Sequence, residues 1–336
     1  MPPEIRIVGL ASHLPGPPIT CRQLAETLGV SADLLEKTAI PTRHHAAAGQ
    51  GPSDLAREAA GIALQRAHAA PADLGLLIFA TATPDVTFPG AACYLQDKLA
   101  APTIGALDVR AQSAGFLCAL ELAASFAAQD GSGAGDARYA RVMVAAGEVF
   151  SSGLDESPAG ADLAARLADG AAVAIVGPGE EGPRVGAIRW GVDGTLADRF
   201  WCESPASRDY PNRVSAAALA EGRQYPRASL EEIAPAARDR LSVAIREVIE
   251  EMSWTPDSVD TFVIDYADPL LAREVGETLG FAASRTTVPT AQFGHVMAAG
   301  LPIALDRLSA ERRLGGRILL ATAGPGFAWG AAALEA

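Results

Sequence analysis

The sequence predicts an α/β protein built on a buried sheet. Three observations carry that expectation. Short apolar runs recur along the chain, and amphipathic patterns lie between them. The third is size: 336 residues, 49% apolar and 20% charged, suffice for a core of about two domains and exclude a disordered chain.

In order, the strand-like runs fall at 5–10, 74–80, 104–109, 142–146 and 171–176, then at 185–190, 259–264, 318–321 and 327–333. Helical patterns occupy 53–69, 91–100, 114–127, 230–252, 269–279 and 297–312. Strands that are apolar throughout, with helices between them, predict a mostly parallel sheet covered on both faces. The chain also looks duplicated. Ser113 stands before one Ala-rich helix and His295 before another, and the Gly- and Pro-rich stretch 177–183 separates a first half, 1–177, from a second, 184–336. Residues 193–228 are polar and aperiodic, which suggests a surface insertion or a lid whose Phe200, Trp201 and Tyr210 could shape a pocket.

Charge narrows the function. Lys and Arg total 27 against 40 Asp and Glu, a net −13, so phosphate-rich partners such as nucleic acid and anionic membrane are disfavoured. The four cysteines, at 21, 93, 118 and 202, form no CxxC pair and no histidine stands at ligand spacing, so neither a disulfide framework nor a metal site is expected. No basic region with a long apolar run opens the sequence, and no stretch of roughly eighteen apolar residues is present. A soluble, cytoplasmic protein is the expectation.

Four constellations could carry chemistry. In Asp108–Phe116 a strand runs into a helix with Ser113 at the turn, where unpaired N–H groups favour negative charge. An ordinary helix cap reads the same way. His295 follows Gly294 before a stretch of small residues, and it is one of only five histidines. Asp265 and Asp268 stand at the end of a buried strand, where α/β folds place reacting groups. Pro269 makes Asp268 a helix cap and leaves Asp265 without a structural duty. Finally, Gly324–Gly330 is glycine-dense enough to bring backbone N–H groups to a ligand, or to make a tight hairpin. Ser113, Asp265 and His295 together supply a nucleophile, an orienting carboxylate and a base. Their order is that of an α/β-hydrolase, although Ala111 breaks the GxSxG motif.

These pieces together resemble the ketosynthase III family of the thiolase fold. The matching segments are 83–99 with Phe88-Pro89-Gly90, Asp108–Phe116, Ala168-Asp169-Gly170-Ala171, Phe293–Pro302 and Gly324–Gly330. The resemblance implies a five-layered αβαβα sandwich of two pseudo-symmetric halves and a homodimer. It also implies a Cys, His and Asn trio, and this sequence places Ser113, Asp265 and His295 at those positions. The three replacements still form a Ser–His–Asp set, similar to the acyltransferase-like members of antibiotic and polyketide pathways. The expected activity is acyl transfer from a carrier-protein or coenzyme A thioester, through an acyl-Ser113 ester, to a hydroxyl or carrier thiol, without Claisen condensation and without a cofactor. A carboxylate in place of the family His would repel the enolate that condensation needs. A starter-unit ketosynthase III, a thioester hydrolase and a non-catalytic partner subunit are the alternatives. The resemblance further implies an oxyanion hole. Pro325 has no N–H, so Ser113 and Gly326 are its expected donors. Phe88, Phe200, Trp201 and Phe327 are the expected pocket aromatics.

Overall fold

Five strands from each half of the chain build one mixed sheet in the computed structural model, which describes residues 4–130, 138–209 and 211–336. The first half supplies β1 (Ile5–His13), β2 (Leu76–Ala80), β3 (Gly105–Val109), β4 (Val142–Glu148) and β5 (Gly170–Pro178). The second supplies β6 (Arg184–Val192), β7 (Thr261–Asp265), β8 (Thr286–Thr287), β9 (Arg317–Gly324) and β10 (Ala328–Glu335). Their order is β8-β7-β9-β10-β6-β1-β5-β4-β2-β3, which reads alike from either edge. Thus β2 corresponds to β7, β4 to β9 and β5 to β10. The halves join where β1 meets β6, at the pair Arg6–Arg184.

The sheet is not mostly parallel, which corrects the expectation. β2 runs parallel to β3 and β4, and β7 parallel to β8 and β9. The five pairings nearer the join are antiparallel. Continuous apolar runs report burial of both faces, as in β2 and β4 where every residue is buried, and are silent about direction.

Six helices cover the strands: α1 (Pro52–Arg66), α2 (Ala91–Lys98), α3 (Gly115–Asp130), α4 (Leu230–Glu251), α5 (Pro269–Thr278) and α6 (Gly300–Ala310). The side-chain clusters sort them into layers. Leu120 of α3 and Leu305 of α6 share one core with Ile78 and Val144 of the first half and Val263 and Leu320 of the second. Leu55 of α1 and Leu95 of α2 pack with Leu77 and Phe79 on the outer face of the first half. Leu241 of α4 and Leu271 of α5 pack with Phe262 and Ile264 on the outer face of the second. Helix, strand, helix, strand, helix is therefore the stacking, with α3 and α6 in the middle. Alternation along β7 sends Val263 toward that middle layer, and Asp265, two residues on, has the same sense.

The 193–228 segment has more order than its pattern suggested. Phe200–Cys202 pairs antiparallel with Pro226–Ala228, and Ala216–Ala220 is a short helix. Tyr210 lies outside the described residues.

Candidate active site

The chain leaves β3, turns at Ala111 (φ −115°, ψ 25°) and passes Gln112 with φ of 50° before Ser113. Ser113 lies inside the turn Gln112–Ala114 that precedes α3, and the cap position of that turn is Ala111. The cap reading of Ser113 therefore fails. Its side chain is buried, and Oγ stands 3.3 Å from Nε2 of His295.

His295 is held by its backbone. Its N–H donates to the Arg166 carbonyl at 2.7 Å, and its own carbonyl accepts from the Ala168 N–H at 3.1 Å. Gly294, at φ +85°, lets the chain pass there, because a Cβ would lie 2.6 Å from that of Ala168. His295 does not open a helix as the pattern suggested. The turn Met297–Ala299 follows it, and α6 starts only at Gly300.

Asp265 ends β7, in register with Thr322 of β9. Its Oδ2 lies 3.3 Å from Nδ1 of His295, and both side chains are fully buried. Asp268 has the structural duty foreseen for it, accepting from the N–H groups of Leu270 and Leu271 at the start of α5. Ser113, His295 and Asp265 thus meet, although 182 residues separate the first two.

Two further residues belong to this centre: Thr290, which carried no sequence signal, and Gly324, which the sequence marked only as part of a glycine-dense loop. Thr290, in the short turn Thr290–Phe293, donates its hydroxyl to Asp265 Oδ1 at 2.5 Å, and its oxygen lies 3.2 Å from Nδ1 of His295. Gly324, at the end of β9, lies against the nucleophile so closely that a Cβ there would be 2.0 Å from Ser113 Oγ.

Beside the trio opens a cavity of about 290 Å³. Gln112, Met297 and Gly326 line it together with Arg110, Phe200 and Trp201. Gly326, the expected oxyanion donor, sits at φ +67° in the turn Pro325–Phe327 and lines this cavity. Two of the four expected pocket aromatics belong there. The other two lie elsewhere in the single chain: Phe327 is buried in the core, its ring 5.8 Å from that of Trp329, and Phe88 is 76% exposed and outside this lining.

Behind the same wall, Glu148 ends β4 and is fully buried. Its carboxylate accepts from the N–H groups of Ala82 and Thr83 and from the hydroxyls of Thr81 and Thr83. Burial outweighs these donors and pushes its carboxyl up to about 7. Among the described residues no cluster of three or more His, Cys, Asp and Glu is placed to hold a metal.

Residues 107–194 match the family model described as 3-oxoacyl-[acyl-carrier-protein (ACP)] synthase III, and residues 249–336 match its C-terminal model. A beta-ketoacyl-[acyl-carrier-protein] synthase III of Rhizorhabdus wittichii is 32% identical over 98% of both chains. The chain belongs to the ketosynthase III family. Another such synthase, from Streptomyces coelicolor, is 32% identical over 98% of this chain and 96% of its own. The crystal structure of the Aquifex aeolicus 3-oxoacyl-[acyl-carrier-protein] synthase III superposes with a TM-score of 0.85 at 26% identity, covering 99% of this chain and 100% of that one. The priming β-ketosynthase of the R1128 polyketide pathway shares the fold, with a TM-score of 0.85 at 24% identity, covering 100% of this chain and 98% of its own. The fold is therefore the thiolase fold of ketosynthase III, and the chain is an enzyme of that transferase family.

Proposed function

We propose that this ketosynthase III-family enzyme moves an acyl group from a thioester, through an ester on Ser113, to a hydroxyl or a carrier thiol, without forming a carbon–carbon bond. The observation that carries the reading is the buried line from Ser113 Oγ through His295 to Asp265, with 3.3 Å at each contact. A serine hydroxyl is a weak nucleophile until a base takes its proton. His295 Nε2 takes it as Oγ attacks the thioester carbonyl, and the imidazolium returns it to the departing thiolate. Asp265 stabilises the imidazolium meanwhile. In the second half-reaction His295 deprotonates the acceptor, which attacks the Ser113 ester, and the proton goes back to Oγ. The N–H groups of Ser113 and Gly326 are the proposed partners of the carbonyl oxygen as it gains charge.

The relatives' names carry an acyl carrier protein, which favours a carrier-bound thioester as the donor, with coenzyme A as the alternative. The cavity is at the lower end of ligand-pocket size, roughly 300 Å³ and upward, which favours a short acyl group. A second copy of the chain is proposed to pair along β3, an exposed edge strand, and to cover Phe88. Among the described residues no helix is long and apolar enough to cross a membrane.

The names of the relatives favour a second reading, condensation with a malonyl thioester. The buried carboxylate beside His295 speaks against it, since an enolate forming there would be repelled. One experiment separates the two. The protein and Ser113→Ala are exposed briefly to acyl thioesters on coenzyme A and on carrier protein, intact mass is recorded, and labelled malonyl thioester is then added. Acyl transfer predicts a mass increment lost in the variant and no labelled carbon dioxide. Carbon dioxide release coupled to a longer acyl product would establish condensation. No increment with any donor would leave a binding subunit.

A further inference from the structure

We infer that Thr290 is a positioning residue that sets the tautomer of His295, relaying the charge of Asp265 to it through its hydroxyl. The inference rests on His295 being the base proposed above and extends that reading to a fourth residue. The Thr290 hydroxyl has one hydrogen, and at 2.5 Å from Asp265 Oδ1 that hydrogen belongs to a short, charge-assisted bond. The Thr290 N–H, 3.3 Å from the same oxygen, fixes the carboxylate further. Only lone pairs then remain on Oγ1 to meet Nδ1 of His295 at 3.2 Å, so Nδ1 must carry the ring hydrogen. Nε2 is left bare and faces Ser113 Oγ, which is the arrangement a base requires.

The direct route does not replace this relay. Asp265 Oδ2 lies 3.3 Å from Nδ1 but is not aligned as a hydrogen-bond acceptor, and it has no hydrogen-bond partner among the described residues. The aligned partner of Nδ1 is the threonine. Valine at this position would keep the shape and remove the oxygen, while serine would keep the oxygen.

The test uses the full chain labelled with ¹⁵N-histidine, with His295→Gln to assign the ring. In the parent protein at neutral pH, long-range proton–nitrogen correlations are expected to show hydrogen on Nδ1 and a bare Nε2. Thr290→Val is expected to lose that pattern and to slow acylation of Ser113 about 10- to 100-fold, the range for one bond to a charged group, with little change in KM. Thr290→Ser is expected to recover the pattern and most of the rate. Retention of the Nδ1–H pattern in Thr290→Val overturns the inference, because Asp265 then suffices alone. The spectrum needs no acyl donor. A tautomer change on Thr290→Val in a protein that never acylates would sustain the role of Thr290 and sink the acyl-Ser113 reading instead. Equal melting temperatures of the variants guard against loss of folding.

Discussion

The two halves build the same elbow and give it different side chains. In the first, Ala111 (φ −115°, ψ 25°) and Gln112 (φ 50°) lead into the helix that starts at Gly115. In the second, Val296 (φ −106°, ψ 26°) and Met297 (φ 39°) lead into the helix that starts at Gly300. Matched residue by residue along the two turns, Ser113 corresponds to Ala298, and the strand ends Ala80 and Asp265 correspond to each other. The glycines confirm the match. A Cβ on Gly115 would lie 3.1 Å from that of Ala80, whereas one on Gly300 would lie 2.2 Å from the carboxylate of Asp265. Strand register extends it: Ala146 pairs with Ala80 and Thr322 with Asp265, so Glu148 corresponds to Gly324. One half keeps the hydroxyl and the other the carboxylate. Duplication supplied the backbone device, and chemistry arose by filling its two copies unequally.

The glycine pair offers the sharpest way to break the comparison. Gly300→Ala pushes the Asp265 carboxylate aside and is expected to cut acylation by about 100-fold or more, because small misplacements of catalytic groups are costly. Gly115→Ala, at the matching place, meets only Ala80 and Ala298 and is expected to cost about 1–3 kcal/mol of stability with a smaller effect on rate. Single-turnover kinetics and denaturant titration of both variants decide it, and equal rate losses would deny the asymmetry.

Glu148 gives the next effect, on stability. Folded, it holds its proton to about pH 7, whereas unfolded it ionises near 4.5, so between those values the folded state binds more protons. The stabilisation is complete below about pH 4.5 and is lost as pH rises toward 7, by up to about 3 kcal/mol in total. Urea titrations at pH 5 and pH 8 should therefore show a decline that Glu148→Gln lacks. A parallel decline in both proteins would assign the effect elsewhere. The smallest effect is expected from Ala298→Ser, which gives the second elbow the hydroxyl of the first. With Nε2 of His295 engaged by Ser113, peptide mapping should find acyl groups on Ser113 alone, and burial of the new hydroxyl should cost about 1–3 kcal/mol.

Much of this was legible in the residue order. Helix and strand runs were legible because buried segments have no polar alternative, and Asp268 was legible as a cap because Pro269 follows it. The trio itself followed from scarcity and residue type. What stayed hidden depends on distance in space rather than on pattern. Strand direction leaves no mark on a run buried on both faces. The repeat was legible, but its register was not: the reactive residues Ser113 and His295 invite alignment with each other, while the turns that correspond are displaced from that pairing by three positions. Thr290 looks like any threonine until its hydroxyl is found between a carboxylate and an imidazole. Gly324 looks like a hairpin glycine until the serine is set against it.

The nucleophile hangs from one half and its base from the other, so the seam between the halves is itself part of the chemical apparatus. A slip of about an ångström along that seam would lengthen the 3.3 Å contact between Ser113 and His295 and register as lost turnover. Opening the chain at the exposed residues 179–182, between β5 and β6, would leave two fragments that are each chemically mute. Turnover regained on mixing them would gauge how faithfully one duplicate still recognises the other.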